Sequence, residues 1–310
     1  MQGGESPLSR FLASLIVFIG AAGYGVLATF VKTGYAMGFT VGEITGSQMF
    51  VGALVLWLIA LFKVGRKIRL SWRPAIYLLG VGAFTGLTGV FYYTSLNVLP
   101  ASIAIILLFQ FTWVGVLLEW LLDGKRPTKT TLISLLLILF GTILAANLLS
   151  QPSYVFNLFG ILMGLCSAFT YAAFIYCSGK VAVQISPWLR SALMISGSAF
   201  TIFILFPPKF LVSGALWDGL WQLAVVMAFF GAILPSVCFN IGVPHIGAGM
   251  ATILGSVELP VAVIMAWVFL SETVNLSQWL GIILILAAIL VGEWDTLKGS
   301  RPMKKRLSNI

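Results

Sequence analysis

Charge is scarce in this sequence. Of 310 residues, 9% are Asp, Glu, Lys or Arg while 60% are hydrophobic, and the mean hydropathy is +1.05. A soluble domain carries about 25% charged residues, because a folded surface must be hydrated. The shortage excludes a single water-facing globule and makes lipid the solvent for most of the surface. Histidine occurs once, and the three cysteines, Cys166, Cys177 and Cys238, lie in apolar runs with no CxxC pair. Nothing therefore suggests a disulfide framework, a metal site or a cofactor. A P-loop is missing, as are the GxGD and HxxxxD arrangements, so ATP-driven pumping by this chain and two intramembrane enzyme chemistries lack their residues. Ser256 and His245 do not make a serine protease pair, because His245 falls outside the apolar run. The tripeptide Gly23-Tyr24-Gly25 lacks the Thr-Val that opens a potassium filter and sits inside an apolar stretch, which removes the potassium-filter reading; nothing else marks a selectivity filter for a channel.

What is present is a succession of long apolar runs. A helix crossing about 30 Å of hydrocarbon needs roughly 20 mostly apolar residues. Punctuation by charge, Pro and Gly predicts spans near 11–31, 43–62, 74–96, 101–121, 130–149, 156–178, 187–206, 217–242, 248–270 and 277–294. The first, from Phe11, is too long for a secretory signal and is expected to stay in the mature chain. The expected fold is therefore all-α integral membrane, with ten transmembrane helices and no soluble domain. If the N-terminus is cytoplasmic, 16 of the 18 Lys and Arg fall on the inner side, Arg190 among them, and only Lys32 and Lys209 outside. That bias is what the positive-inside rule requires, so both termini are expected in the cytoplasm of a cell whose plasma (inner) membrane holds the chain. The net charge of +9 then reads as topology and not as a nucleic-acid surface.

The chain also resembles itself. Tyr93 to Thr128 (YTSLNVLPASIAIILLFQFTWVGVLLEWLLDGKRPT) aligns at an offset of 147 with Asn240 to Asn275 (NIGVPHIGAGMATILGSVELPVAVIMAWVFLSETVN), and Tyr24 meets Tyr171 at the same offset. The expected domains are 1–150 and 151–310, each a five-helix repeat. An odd span number inverts the second copy, an arrangement that recurs in secondary transporters with a site near the midplane. Gly247-Ala248-Gly249, Glu258-Leu259-Pro260-Val261, Ser271-Glu272, and Gln278 with Gly281 complete the pattern. In these features the chain resembles the drug/metabolite transporter superfamily, and within it the EamA-like ten-helix family. It departs from that family at Gly124-Lys125, where the turn usually reads Gly-Glu, and at Gln48, where an arginine is common. The resemblance implies alternating-access transport of small organic metabolites, commonly export of amino acids or related compounds, with protons as a possible coupling ion. No oligomer is required for ten helices to enclose a pathway. The alternative reading is a non-transporting multispan subunit or receptor.

Glu258 is the most informative residue. A carboxylate in the middle of a span costs a few kcal/mol, so it is expected to face the bundle or a wet cavity, as a site for a proton or a cationic substrate or as a helix lock. Pro260, two residues on, marks a helix break. The remaining pathway candidates are polar or aromatic: Gln48, Tyr24, Tyr92, Tyr93, Asn97, Gln110, Trp113, Tyr171 and Asn240. Lipid offers them no hydrogen bonds, and rings with a few amides suit an amphipathic organic molecule better than a bare ion. Glu119 is expected in an interfacial ion pair with Lys125 or Arg126, and Glu43 at a helix N-terminus. Glycines four apart (Gly38, Gly42 and Gly46; Gly82 and Gly86; Gly160 and Gly164) are expected at helix contacts.

Overall fold

The computed structural model describes residues 8–64, 71–96, 98–147 and 157–299, without the side chains of 64 and 295–299. All regular structure among them is helical: α1 (Arg10–Ala36), α2 (Val41–Val64), α3 (Trp72–Leu96), α4 (Ala101–Leu108), α5 (Phe111–Asp123), α6 (Lys129–Ala145), α7 (Leu158–Ser178), α8 (Pro187–Leu205), α9 (Trp221–Ala228), α10 (Leu234–Ile246), α11 (Ala248–Gly255), α12 (Glu258–Leu270) and α13 (Leu276–Gly299). With α4–α5, α11–α12 and the stretch Leu216–Ile246 each counted as one, nine are long and apolar enough to cross a membrane. The tenth expected span corresponds to α6, apolar but 17 residues long.

Start and stop signals follow local chemistry. At α2, Thr40 and Glu43 form a reciprocal cap: the Thr40 N–H and hydroxyl donate to the Glu43 carboxylate at 2.8 Å, and the Glu43 N–H points back at Thr40 Oγ1. Thr128 caps α6 by accepting from the Thr131 N–H. Helix α5 stops at Gly124 with φ +69°, and α12 stops at Ser271 with φ +54°, the same left-handed turn made once with glycine and once without. The bounds of α4–α5 recur 147 residues later in α11–α12: 101 and 248, 108 and 255, 111 and 258, 123 and 270.

Helices cross where glycine lets backbones meet. A Cβ on Gly82 of α3 would run into the Met194 carbonyl of α8, and one on Gly197 of α8 into the Leu79 carbonyl. Gly20 of α1 meets Cys238 of α10, Gly115 of α5 meets Thr252 of α11, and Gly141 of α6 meets Gly281 of α13. Gly42 and Gly46 take Phe206 and Phe210, and Gly160 and Gly164 take Leu99 and Leu107. Each of these contacts joins an element before residue 150 to one after it. Gly38 departs from its expected packing role: it turns the chain between α1 and α2 at φ +90°, with nothing within 4 Å of a Cβ.

Two prolines reshape the helix ahead of α10 and within it. Pro235 has no N–H and crowds the carbonyl four residues back, and the turn Phe229–Ile233 widens to i→i+5 bonding. Pro244 leaves the Asn240 carbonyl without its helical partner. Arg190 takes it: one guanidinium nitrogen donates to Asn240 O at 2.8 Å, and the other donates to Ser178 O at the C-terminus of α7. Arg190 is 1% exposed in the first turn of α8 and ties α7, α8 and α10 together.

Gly80 and Gly82 test the crossing directly, since a Cβ on Gly80 meets nothing within 4 Å. Gly80→Ala should leave the melting temperature unchanged or raise it, helix propensity favouring Ala by roughly 0.5–1 kcal/mol. Gly82→Ala should lower stability by about 1–3 kcal/mol through overpacking. Thermal melts of the detergent-purified variants read both signs.

Candidate functional site

A cavity of about 400 Å³ enters the bundle from one end. Its mouth carries Lys32 and Tyr35 from the end of α1, Glu272 to Val274 after α12, and Gln278 of α13; its floor is Tyr24, Tyr171 and Glu258. Walls come from α2, α3, α4, α8 and Gly231 in the widened turn. Helix α2 brings Gln48 within reach of Gly231.

The floor is built around two tyrosines that lie 147 residues apart in the sequence. Tyr24 and Tyr171 meet edge to face, with centroids 5.8 Å apart and planes at 86°. Tyr171 packs on Phe111 at 4.5 Å and points its hydroxyl at Glu258 Oε2, 3.5 Å away, the long limit of a hydrogen bond. Phe111 and Glu258 hold equivalent positions at the starts of α5 and α12, so one half supplies a ring where the other supplies a carboxyl. Glu258 faces the cavity because α12 begins there: the chain tightens at Ser256 and Val257, and Gly25 lets α1 lie against the Glu258 backbone, where a Cβ would fall 2.5 Å from its carbonyl. Pro260 lies in the first turn of α12, just after the break. A similar break at Phe109–Gln110 has no proline, so the fault does not depend on one.

Of the residues singled out in the sequence, Glu258, Gln48, Tyr24, Tyr92, Tyr93 and Tyr171 line this cavity, with Tyr92 and Tyr93 in ring contact at 5.8 Å. Asn97 lies outside the described residues. Gln110 and Trp113 belong elsewhere: the Trp113 indole N–H donates to Gln110 Oε1 at 2.8 Å, and both line a separate cleft with Leu132, Leu136 and Leu139 of α6. Asn240 is buried near Arg190, its amide nitrogen donating to Ser191 Oγ at 2.9 Å, and is not part of the cavity wall. Sequence reasoning missed the Lys32–Glu272 ion pair at the mouth, 2.8 Å long, and the lining hydroxyls of Thr29, Thr85 and Ser102, which are buried without a protein partner. Such hydroxyls carry no periodic signal in a sequence.

The opposite end of the bundle is shut. Asp123, ending α5, accepts from the Tyr176 hydroxyl at 2.8 Å and pairs with Lys180 beyond α7 at 2.8 Å. Glu119 pairs with Lys125 as expected, and its second oxygen accepts the Gly249 N–H of α11 at 2.8 Å. A Cβ at Gly249 would strike that carboxylate, which explains small residues at 247–249. Gln278 and Gly281 also have structural work: Gln278 donates to Ala145 O at the end of α6, and Gly281 lies against the backbone of Gly141 and Ala145.

Multiple apolar spans surrounding a one-ended cavity define a multi-pass membrane protein of the transporter class. The model of the EamA-like transporter family matches the chain twice, over residues 11–147 and 158–292, and the chain belongs to that family. It is 27% identical over 276 residues to an uncharacterized transporter of Archaeoglobus fulgidus, covering 89% of this chain and 94% of that protein. It is 26% identical over 290 residues to the threonine/homoserine exporter RhtA of Salmonella typhimurium, covering 93% of each. A solved crystal structure superposes with a TM-score of 0.75 at 18% identity, over 94% of this chain and all of that one, a likeness of fold. Family and relatives indicate a transporter and not an enzyme.

The one-ended cavity predicts a labelling asymmetry along α1. In a background with the three native cysteines replaced, Ala28→Cys, exposed on the wall, should react readily with a hydrophilic thiol reagent. Ala13→Cys, fully buried at the shut end, should react at least about a hundredfold more slowly, since modification there requires an opening costing on the order of 3 kcal/mol or more.

Proposed function

We propose that this protein is a secondary carrier that exports small organic metabolites, amino acids or related compounds or amphipathic drugs, by alternating access. The observation that carries the reading is the pairing of a vestibule open at one end with cross-bundle contacts shutting the other, and a lone carboxyl on the floor between them. Alternating access needs a site reached from one side at a time. The name of the RhtA relatives makes threonine and homoserine the first compounds to try.

In this reading the chain has ten spans, α6 included, in two inverted five-helix repeats, 1–150 and 151–310. The 147-residue recurrence of the helix bounds and the two family matches support it. Both termini face the cytoplasm of a cell with the chain in its plasma (inner) membrane, so the vestibule opens outward. Glu258 carries a proton or pairs with a cationic group of the substrate, with Tyr24, Tyr92, Tyr93 and Tyr171 as its aromatic surround and Gln48 as a polar wall. A single chain encloses the pathway.

Flux by purified protein in liposomes, with an imposed pH gradient and a panel of amino acids and cationic drugs, tests this. Gradient-driven flux of at least one compound is expected, with Glu258→Gln reducing it at least about tenfold, a loss of about 1.4 kcal/mol in the driven step. Full flux in the variant would make Glu258 a helix lock. No flux across the panel would favour a non-transporting subunit.

A further inference from the structure

The shut end of the bundle holds a second, smaller cleft of about 210 Å³ whose chemistry the transport reading does not use. Its walls bring together Arg10, the first residue of α1; Lys125, in the turn after α5; Lys180, beyond α7; and His245, in the last turn of α10. Four separate elements supply these groups, and Tyr176 and Gly247 complete the wall.

Two carboxylates lie behind the lysines, and burial decides which sign the cleft presents. The Glu119 and Asp123 side chains are 14% and 13% exposed, while their partners Lys125 and Lys180 are 61% and 48% exposed. The negative oxygens are turned inward, to the Gly249 N–H and the Tyr176 hydroxyl, and the ammonium groups outward. Arg10 is exposed and has no ion pair among the described residues. The entrance is thus cationic, at the level where the spans end.

We infer that this cleft binds the phosphate of an anionic membrane lipid. Basic pockets between spans at the cytoplasmic interface suit such headgroups, and the flanks supply a place for the acyl chains. Phe11, next to Arg10, is 59% exposed, and Leu121 and Leu122, beside Asp123, are 68% and 62% exposed. A free phosphate has no use for that apolar skirt; a lipid does. Because Lys180 also ties the end of α7 to Asp123 of α5, a bound headgroup would sit on a contact that holds the shut end closed.

The test is a thermal melt of the full chain in neutral detergent with added phosphatidylglycerol, phosphatidylcholine or inorganic phosphate. Phosphatidylglycerol should raise the midpoint by about 3 °C or more, as a ligand of the folded state does, and the other two should not. Arg10→Gln with His245→Gln, both at exposed positions, should keep the lipid-free midpoint and lose at least half of the shift; Arg10→Gln alone carries the same expectation if the double variant does not express. An equal shift with phosphatidylcholine, or a full shift in the variants, would overturn the site. A shift reproduced by inorganic phosphate alone would overturn the lipid assignment in favour of a free anion.

Discussion

In hydrocarbon, a backbone carbonyl deprived of its helical partner has no water to turn to, and much of this structure is organised by how such groups are satisfied. Pro244 frees the carbonyl of Asn240, and a buried arginine arrives from α8 to take it. The same arginine closes the end of α7 at Ser178, so three helices are fixed to one another by a single planar donor. A lysine would serve poorly there, because its point charge lacks the forked geometry that reaches two carbonyls at once. Pro235 is answered differently, by a widened turn whose Gly231 opens onto Gln48 and the cavity. One proline thus stabilises the shut end and the other shapes the wall of the open one.

Much of the helix order could be read from the sequence, because apolar length and charged punctuation survive in any membrane chain. The turn after α5 at Gly124-Lys125 and the turn after α12 at Ser271-Glu272 lay at the 147-residue offset, and a left-handed residue ends each of these two helices. The faces of the helices were not legible. In water, an apolar stripe marks the buried side of a helix; in lipid both sides are apolar. Phe111 therefore gave no sign that it turns inward while Gln110 and Trp113, near it in sequence, turn to the α6 cleft.

The burial of Arg190 was not legible for a related reason. A cation near a span end is ordinarily an interfacial charge, and the exception depends on a proline 54 positions away whose effect appears only once α8 and α10 are packed. Glu258 stood out because a carboxyl amid hydrocarbon has few explanations. The 147-residue offset already sets it against Phe111 in the sequence, and the two helix breaks fall at those equivalent places. The site is thus chemically one-sided between helix pairs whose bounds recur 147 residues apart.

The glycine crossings have a consequence for descent. Where Gly82 rests on the Met194 carbonyl and Gly141 on the Gly281 carbonyl, the touching surfaces are main chain. Main-chain atoms do not change when side chains mutate, so such a seam asks only that a few positions stay small. Divergence can then rewrite the cavity lining residue by residue without disturbing how the helices meet. That tolerance fits a chain whose fold recurs at 18% identity, and it leaves cargo preference free to drift faster than architecture.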